Sequence, residues 1–294
     1  MWKMNFLIVW TIRFAQIIKK AWFKMKKKNI AIITIIFLLI IGITAVSFFG
    51  SSTQFNIVGS SSVQPVAEKL VESYKETHPD VRFNVQGGGS SVGIKSVHEG
   101  IADIGTSSRE LKENEDEGLT QYNIGQEGIV IAVNNQNTVT DLSKEQLKDI
   151  FSGKVKNWNQ VGGPDGEIHV ITREEGSGTL DAFKSIVLGK DTDIRSDAIV
   201  QSSTESVKQS VKQDENAIGF VSFAHMSDDV KALSVDKVNP SIETISDGSY
   251  ELQRPFLFLV KGTPSKDLKD FIDWVNGEEG QKILSEEKII RPSK

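Results

Sequence analysis

Cysteine is absent from all 294 residues. That excludes disulfides, thiolate metal ligands, cysteine nucleophiles and lipid attached through a cysteine. Histidine is scarce: the four present, His78, His98, His169 and His225, lie far apart with no metal-ligand spacing. The acidic run Glu113–Gly118 misses the calcium-loop pattern and reads as a solvated loop. Carboxylates are missing from the first 67 residues; Glu68 is the first.

Up to residue 50 the chain carries eight basic residues (Lys3, Arg13, Lys19, Lys20, Lys24, Lys26, Lys27, Lys28) and no acid. Setting these aside leaves 26 basic against 39 acidic residues, a net charge of −13. A body that acidic is a poor partner for nucleic acid. Any anion it holds must be held by local donors, not by the global field.

One long apolar run is present, Ile30–Phe49, broken only by Thr34, Gly42, Thr44 and Ser47. At ~1.5 Å per residue it spans a hydrocarbon core of ~30 Å. The lysines before it predict a basic cytoplasmic segment over 1–28, a transmembrane anchor or signal over 29–50, and an exported body. Ala45-Val46-Ser47 has the small residues of a signal-peptidase site, but the run exceeds the usual ~7–15 apolar residues; the expectation is an uncleaved anchor. Residues 1–24, with Trp2, Trp10 and Trp22, read either as a membrane-surface segment or as an extension upstream of a start at Met25.

After the short polar linker 51–54, strand-like and helix-like segments alternate, which predicts an α/β body with mainly parallel sheet. Strands are expected at 55–58, 81–85, 101–105, 128–133, 168–172, 217–223 and 255–260. Helices are expected at 62–77, 91–99, 142–151, from Leu180, and at 204–213, 265–275 and 278–285. Three helix starts share one chemistry: Gly59-Ser60-Ser61-Ser62, Gly87-Gly88-Gly89-Ser90-Ser91, and Arg173 with Gly176-Ser177-Gly178-Thr179. In each, a strand ends in a small flexible turn, hydroxyls follow and a helix begins. Unpaired N–H groups, hydroxyl donors and a guanidinium at such points suit a tetrahedral oxyanion. A single Ser or Thr before a helix is usually only a cap; three such starts at the carboxyl ends of strands point to a ligand site. No Gly-Lys-Ser/Thr follows these turns, and Ser177 lacks the Gly-x-Ser-x-Gly frame.

Over residues 54–294 the body resembles the substrate-binding proteins of high-affinity phosphate ABC transporters. The resemblance rests on Gly-Ser-Ser-Ser-Val-Gln-Pro (59–65), Gly-Gly-Gly-Ser-Ser-Val-Gly (87–93), Asp-Ile-Gly-Thr-Ser-Ser-Arg (103–109) and Arg-Glu-Glu-Gly-Ser-Gly-Thr (173–179). Ile150-Phe-Ser-Gly, Asn157-Trp, Ala217-Ile-Gly-Phe-Val and Tyr250-Glu-Leu-Gln-Arg-Pro also fit. It implies a two-lobed periplasmic-binding-protein clamp of type II, with lobe 1 at 54–132 plus 256–294, lobe 2 at 133–255, and hinge crossings near 132–135 and 252–256. It also implies inorganic phosphate bound by Ser61, Ser62, Ser90, Ser108, Arg173, Ser177, Gly178 and Thr179, with Glu175 as the acid that holds the arginine.

Ser108 stands where the best-known version of the pattern has an aspartate that accepts the phosphate proton and repels sulfate. A serine can accept or donate and supplies no repulsion. Arg109 beside it is open to two readings, an inward anion contact or an interlobe salt bridge. The resemblance further implies a permease with a cytoplasmic ATPase as partner, a monomeric binding protein, and neither covalent chemistry nor a cofactor. Two alternatives stand beside it: a clamp or sensor for another oxyanion such as sulfate, and an exported phosphatase using Ser177.

Overall fold

The computed structural model describes residues 53–291; the expected cytoplasmic segment and anchor fall outside them. In chain order the strands are β1 (Thr53–Gly59), β2 (Val81–Gly87), β3 (Ile104–Ser107), β4 (Leu119–Val133), β5 (Asp141–Leu142), β6 (His169–Arg173), β7 (Ile199–Gln201), β8 (Ala217–Ser222), β9 (Lys231–Ala232), β10 (Ser234–Val235) and β11 (Gln253–Lys261). The helices are α1 (Gln64–Thr77), α2 (Ser90–His98), α3 (Lys144–Ser152), α4 (Gly178–Phe183), α5 (Thr204–Gln213), α6 (Ile242–Ser246), α7 (Lys266–Asn276) and α8 (Glu278–Glu286). Among the described residues no helix is long and apolar enough to cross a membrane.

The main sheet runs β2-β1-β3-β11-β4-β8-β6-β7, with β9 beside β4. It is mixed rather than mainly parallel. β2, β1 and β3 are parallel, as are β8, β6 and β7, but β11 runs antiparallel to β3 and β4, and β4 antiparallel to β8. Two parallel groups are thus joined through an antiparallel pair.

Each group has its own core. α1 buries Val66, Ala67, Leu70, Val71 and Tyr74 at helical spacing and turns Glu68, Lys69, Glu72 and Lys75 away from that face. Its buried face meets Phe55, Ile57, Phe258, Phe271 and Ile272 in the first core. The second core gathers Phe151, Trp158, Phe183, Phe220, Tyr250 and Leu252. Phe183 stacks on Phe220 with ring centroids 4.4 Å apart. Each fully buried phenylalanine contributes about 1.5–3 kcal/mol. The helix expected from Leu180 widens after Phe183 into a looser turn at Lys184–Leu188, closed by Gly189 N–H donating to Lys184 O at 2.9 Å.

β4 and β11 pass between the two cores. On β4 the change of core falls between Ile124 and Ile129, ahead of the 132–135 crossing expected from the sequence. A register irregularity lies there, between Phe256 and Leu257 of β11. Such an irregularity bends a strand pair. The buried Tyr250 hydroxyl donates to Ile129 O at 2.8 Å and ties the return segment to β4.

Candidate functional site

The carboxyl ends of β1, β3 and β6 meet the starts of α1, α2, α4 and α5, and their polar side chains form one buried cluster. Local backbone explains the approach. Gly59 ends β1 at φ +148°, and a Cβ there would lie 2.2 Å from Thr106 O, so only glycine fits. Gly178 opens α4, where a Cβ would lie 2.1 Å from Ser90 Oγ and 2.6 Å from Ser108 Oγ. That glycine lets the start of α4 seat itself against hydroxyls of the other parallel group.

Capping does not explain the hydroxyls. α1 is capped at Val63 and α2 at Gly89, neither with a side-chain hydrogen bond. Ser62 Oγ instead bonds Thr179 Oγ1 at 3.0 Å and Thr204 Oγ1 at 2.9 Å. Ser60 Oγ donates to Ser108 Oγ at 2.9 Å, and Ser108 N–H donates to Ser90 Oγ at 3.0 Å. Ser177 is the exception: its Oγ accepts from Leu180 N–H and caps α4.

Two guanidiniums enter this cluster. Arg173, at the end of β6, donates through Nη1 to Thr204 Oγ1 (3.2 Å) and through Nη2 to Ser61 Oγ (3.1 Å). Its acid partner is Glu174, which accepts from Nε and Nη2 at 2.8 Å each, not Glu175. The chain leaves β6 at Glu174 while still beside the guanidinium, whereas Glu175 sits on the turn and is exposed. Arg254, on β11, donates through Nη1 to Thr179 Oγ1 (2.7 Å) and Ser108 Oγ (3.2 Å), and through Nη2 to Ser62 Oγ (3.2 Å). Its Nε donates to Glu127 at 3.0 Å. Arg254 and Glu127 are direct cross-strand partners in the β11–β4 ladder. Glu127 also accepts from Ser222 Oγ and from Ala224 N–H. Burial pushes the Glu127 carboxyl up, against the pull of Arg254 and these donors; burial likewise pushes Arg254 down.

Arg109 is buried as well, but it faces the rim. It pairs with Glu115 through Nη1 (2.6 Å) and Nη2 (2.9 Å) and with Asp181 of α4 through Nε (2.7 Å); Nη2 also reaches Ser91 Oγ at 3.2 Å. Lys112 reaches the same Asp181 at 3.2 Å. The salt-bridge reading of Arg109 is therefore the one the geometry supports.

Of the residues expected in the site, Ser61, Ser62, Ser90, Ser108, Arg173, Gly178 and Thr179 meet in the cluster. Ser177 lies beside it as a cap, Glu175 lies outside it, and Arg109 lies at its rim. Ser60, Thr204, Arg254, Glu127 and Glu174 were not expected. For Arg254 and Glu127 the available signal is a charged residue directly before an apolar strand run, Pro255–Val260 and Gly128–Val133.

Helix starts converging from two differently cored groups, joined by an antiparallel strand pair, give the architecture of a binding protein with a donor-lined centre that suits a small anion. A family model for the PBP superfamily domain matches residues 50–279. The phosphate-binding protein PstS of Bacillus subtilis (strain 168) is 35% identical over 238 residues, covering 80% of this chain and 79% of that one. A Clostridium perfringens structure, described as a putative phosphate ABC transporter substrate-binding protein with bound phosphate, is 40% identical with TM-score 0.80, over 82% of this chain and all of that one. An ABC-type phosphate transport receptor from Vibrio cholerae is 36% identical with TM-score 0.69, over 81% of this chain and all of that one. The chain belongs to the PBP superfamily and, within it, to the family of the PstS phosphate-binding proteins.

Proposed function

We propose that this protein binds inorganic phosphate outside the cytoplasm and delivers it to an ABC-type importer, a permease driven by a cytoplasmic ATPase. The observation that carries this reading is the single buried cluster in which Arg173 and Arg254 face the hydroxyls of Ser61, Ser62, Ser108, Thr179 and Thr204. A multiply charged ion is costly to desolvate. Many converging donors offset that cost, and charge-assisted hydrogen bonds supply most of the gain.

In this reading Ser61, Ser62, Ser90 and Ser108 bind from one lobe and Arg173, Gly178 and Thr179 from the other. Ser177 holds the start of α4 in place. The protein is a type II clamp with its hinge at β4 between residues 124 and 129 and at β11 near 252–256. Phosphate draws the lobes together, and the closed form is what the permease recognises. The protein acts as a monomer, held at the membrane by its N-terminal segment. No covalent step is involved; Ser177 Oγ is engaged as a cap, which gives the phosphatase alternative no support.

Calorimetric titration of the full-length protein with phosphate tests this. Saturable one-to-one binding is expected. Absence of binding, or turnover of a phosphomonoester that Ser177→Ala abolishes, would overturn it.

A further inference from the structure

Arg254 differs from the other site groups in where it comes from. It is carried by β11, one of the two strands that pass between the cores, and its guanidinium touches hydroxyls of both parallel groups: Ser62 and Ser108 on one side, Thr179 on the other. Only 3% of it is exposed. The link Arg254–Ser62–Thr204–Arg173 is continuous, with contacts of 3.2, 2.9 and 3.2 Å. An ion seated among these hydroxyls is therefore within reach of both guanidiniums. Each guanidinium has its Nε committed to a carboxylate, Glu174 or Glu127, which leaves an Nη edge turned toward the hydroxyls. Arg173 and Arg254 are also close enough for each to feel the other's charge. Two buried like charges are unfavourable, and an anion between them relieves that.

The position opposite the ion's proton is equally informative. Ser108 Oγ already accepts from Ser60 Oγ at 2.9 Å and from Arg254 Nη1 at 3.2 Å. A hydroxyl has two acceptor sites, so with both taken Ser108 keeps only its own O–H, a donor that also lies 3.5 Å from Ser90 Oγ. The cluster thus offers donors and positive charge, with no carboxylate aimed at the ion.

Building on the phosphate-binding reading, we propose that Arg254 is a second guanidinium ligand of the anion, positioned from the hinge by Glu127, and that the site selects its ion by charge and tetrahedral shape more than by the ion's proton. Sulfate is then a competing ligand. Glu127 acts through Arg254: its carboxylate fixes the rotation of the fork, and its insertion in the opposing hinge strand sets that fork at the seam where the lobes meet.

The test is calorimetric titration of the full-length protein with phosphate, alone and with sulfate as competitor, on wild type, Arg254→Gln, Glu127→Gln and the double variant. Arg254→Gln is expected to lose roughly tenfold or more in affinity for both ions, since it removes charge-assisted bonds. Glu127→Gln is expected to lose less, and to add nothing once Arg254 is Gln, the non-additivity of a residue that works through its partner. Removing one member of a buried ion pair can unfold a protein, whereas the double variant leaves no unpaired charge, so it carries the binding measurement if a single variant does not fold. Wild-type affinity in a folded Arg254→Gln or double variant overturns the assignment. Additive losses overturn the positioning role of Glu127, and failure of sulfate to compete overturns selection by charge. Each of these outcomes presupposes a wild type that binds phosphate; a wild type that binds none overturns the functional reading itself.

Discussion

The centre of the cleft and its rim both join the two parallel groups through buried arginines, yet they are balanced differently. At the rim, Arg109 and Lys112 meet Glu115 and Asp181, cation for carboxylate, and both Nη groups of Arg109 are spent on Glu115, Glu110 O and Ser91 Oγ. At the centre, Arg173 and Arg254 each have one carboxylate at the back and hydroxyls at the front. Hydroxyls can reorient, so their donors are available to a ligand. A balanced rim holds two surfaces together; a centre rich in donors binds an anion. Burial alone would not separate them, since Arg109 and Arg173 are 4% and 3% exposed.

The contrast is broken most severely by exchanging what each region loses. Arg173→Ala removes a charge-assisted contact to the anion, and one hydrogen bond to a charged group is worth about 1.5–3 kcal/mol. A loss of roughly tenfold to a hundredfold in phosphate affinity is expected by calorimetry. Unchanged affinity would place the anion elsewhere. Gly178→Ala should follow. Its methyl would press on Ser90 Oγ and Ser108 Oγ, and overpacking costs about 1–3 kcal/mol. Part of that falls on closure, so an affinity loss of about tenfold is expected, with little change in the thermal midpoint. A large drop in that midpoint would make Gly178 a folding residue instead.

Much of this centre was legible in the sequence because its parts are local. A strand end, a glycine and hydroxyls before an amphipathic helix are contiguous at 59–62, 87–91 and 173–179, and the helices they open are strongly periodic. What the sequence concealed is non-local. Arg254 meets Thr179, Ser108 and Ser62 across 75, 146 and 192 residues, and on its own it reads as a strand boundary. The first half of β4, Leu119–Glu127, is hidden in the sequence because it pairs with β11 and, apart from a single bridge from Gln126 to Ile290, has no second strand beside it; several polar side chains stay in water, which erases the apolar run. The choice between Glu174 and Glu175 turned on one residue at a bend, where a strand's alternation no longer predicts direction. The change of core along β4 is hidden because Ile129–Val133 is as apolar as a first-core strand; only the fold shows that it packs with Phe220 and Val207.

At the rim a smaller effect is expected. Asp181→Asn removes the carboxylate that Arg109 and Lys112 share, but Glu115 still holds Arg109 through two contacts. Partly exposed pairs contribute about 0.2–1 kcal/mol. Phosphate affinity should fall by about twofold to fivefold, and the difference from wild type should shrink at high salt. A loss as large as that of Arg173→Ala would make the rim part of the binding site and dissolve the distinction.

The smallest effect concerns stability rather than binding, and it falls just behind the centre. Burial, followed by the Lys208 ammonium, pushes His225 down from 6.5 to about 4; Glu205 opposes this, and Arg254 and Arg173 add to it. Its Nδ1 is buried without a hydrogen-bond partner, so the fold favours the neutral ring. A group with a depressed folded pKa binds protons more readily when unfolded, so its contribution is complete above about 6.5 and is lost as pH falls through about 4. Carboxylates such as Glu115 and Glu205, whose pKa values are also lowered, weaken over the same acid range. The informative quantity is therefore the difference between wild type and His225→Leu. Urea midpoints measured from pH 7.5 to 4 should decline less steeply in the variant, with phosphate affinity at pH 7.5 nearly unchanged. Parallel declines would mean that the imidazole takes up its proton without cost, and that the cations around it are screened by the hydroxyls they face.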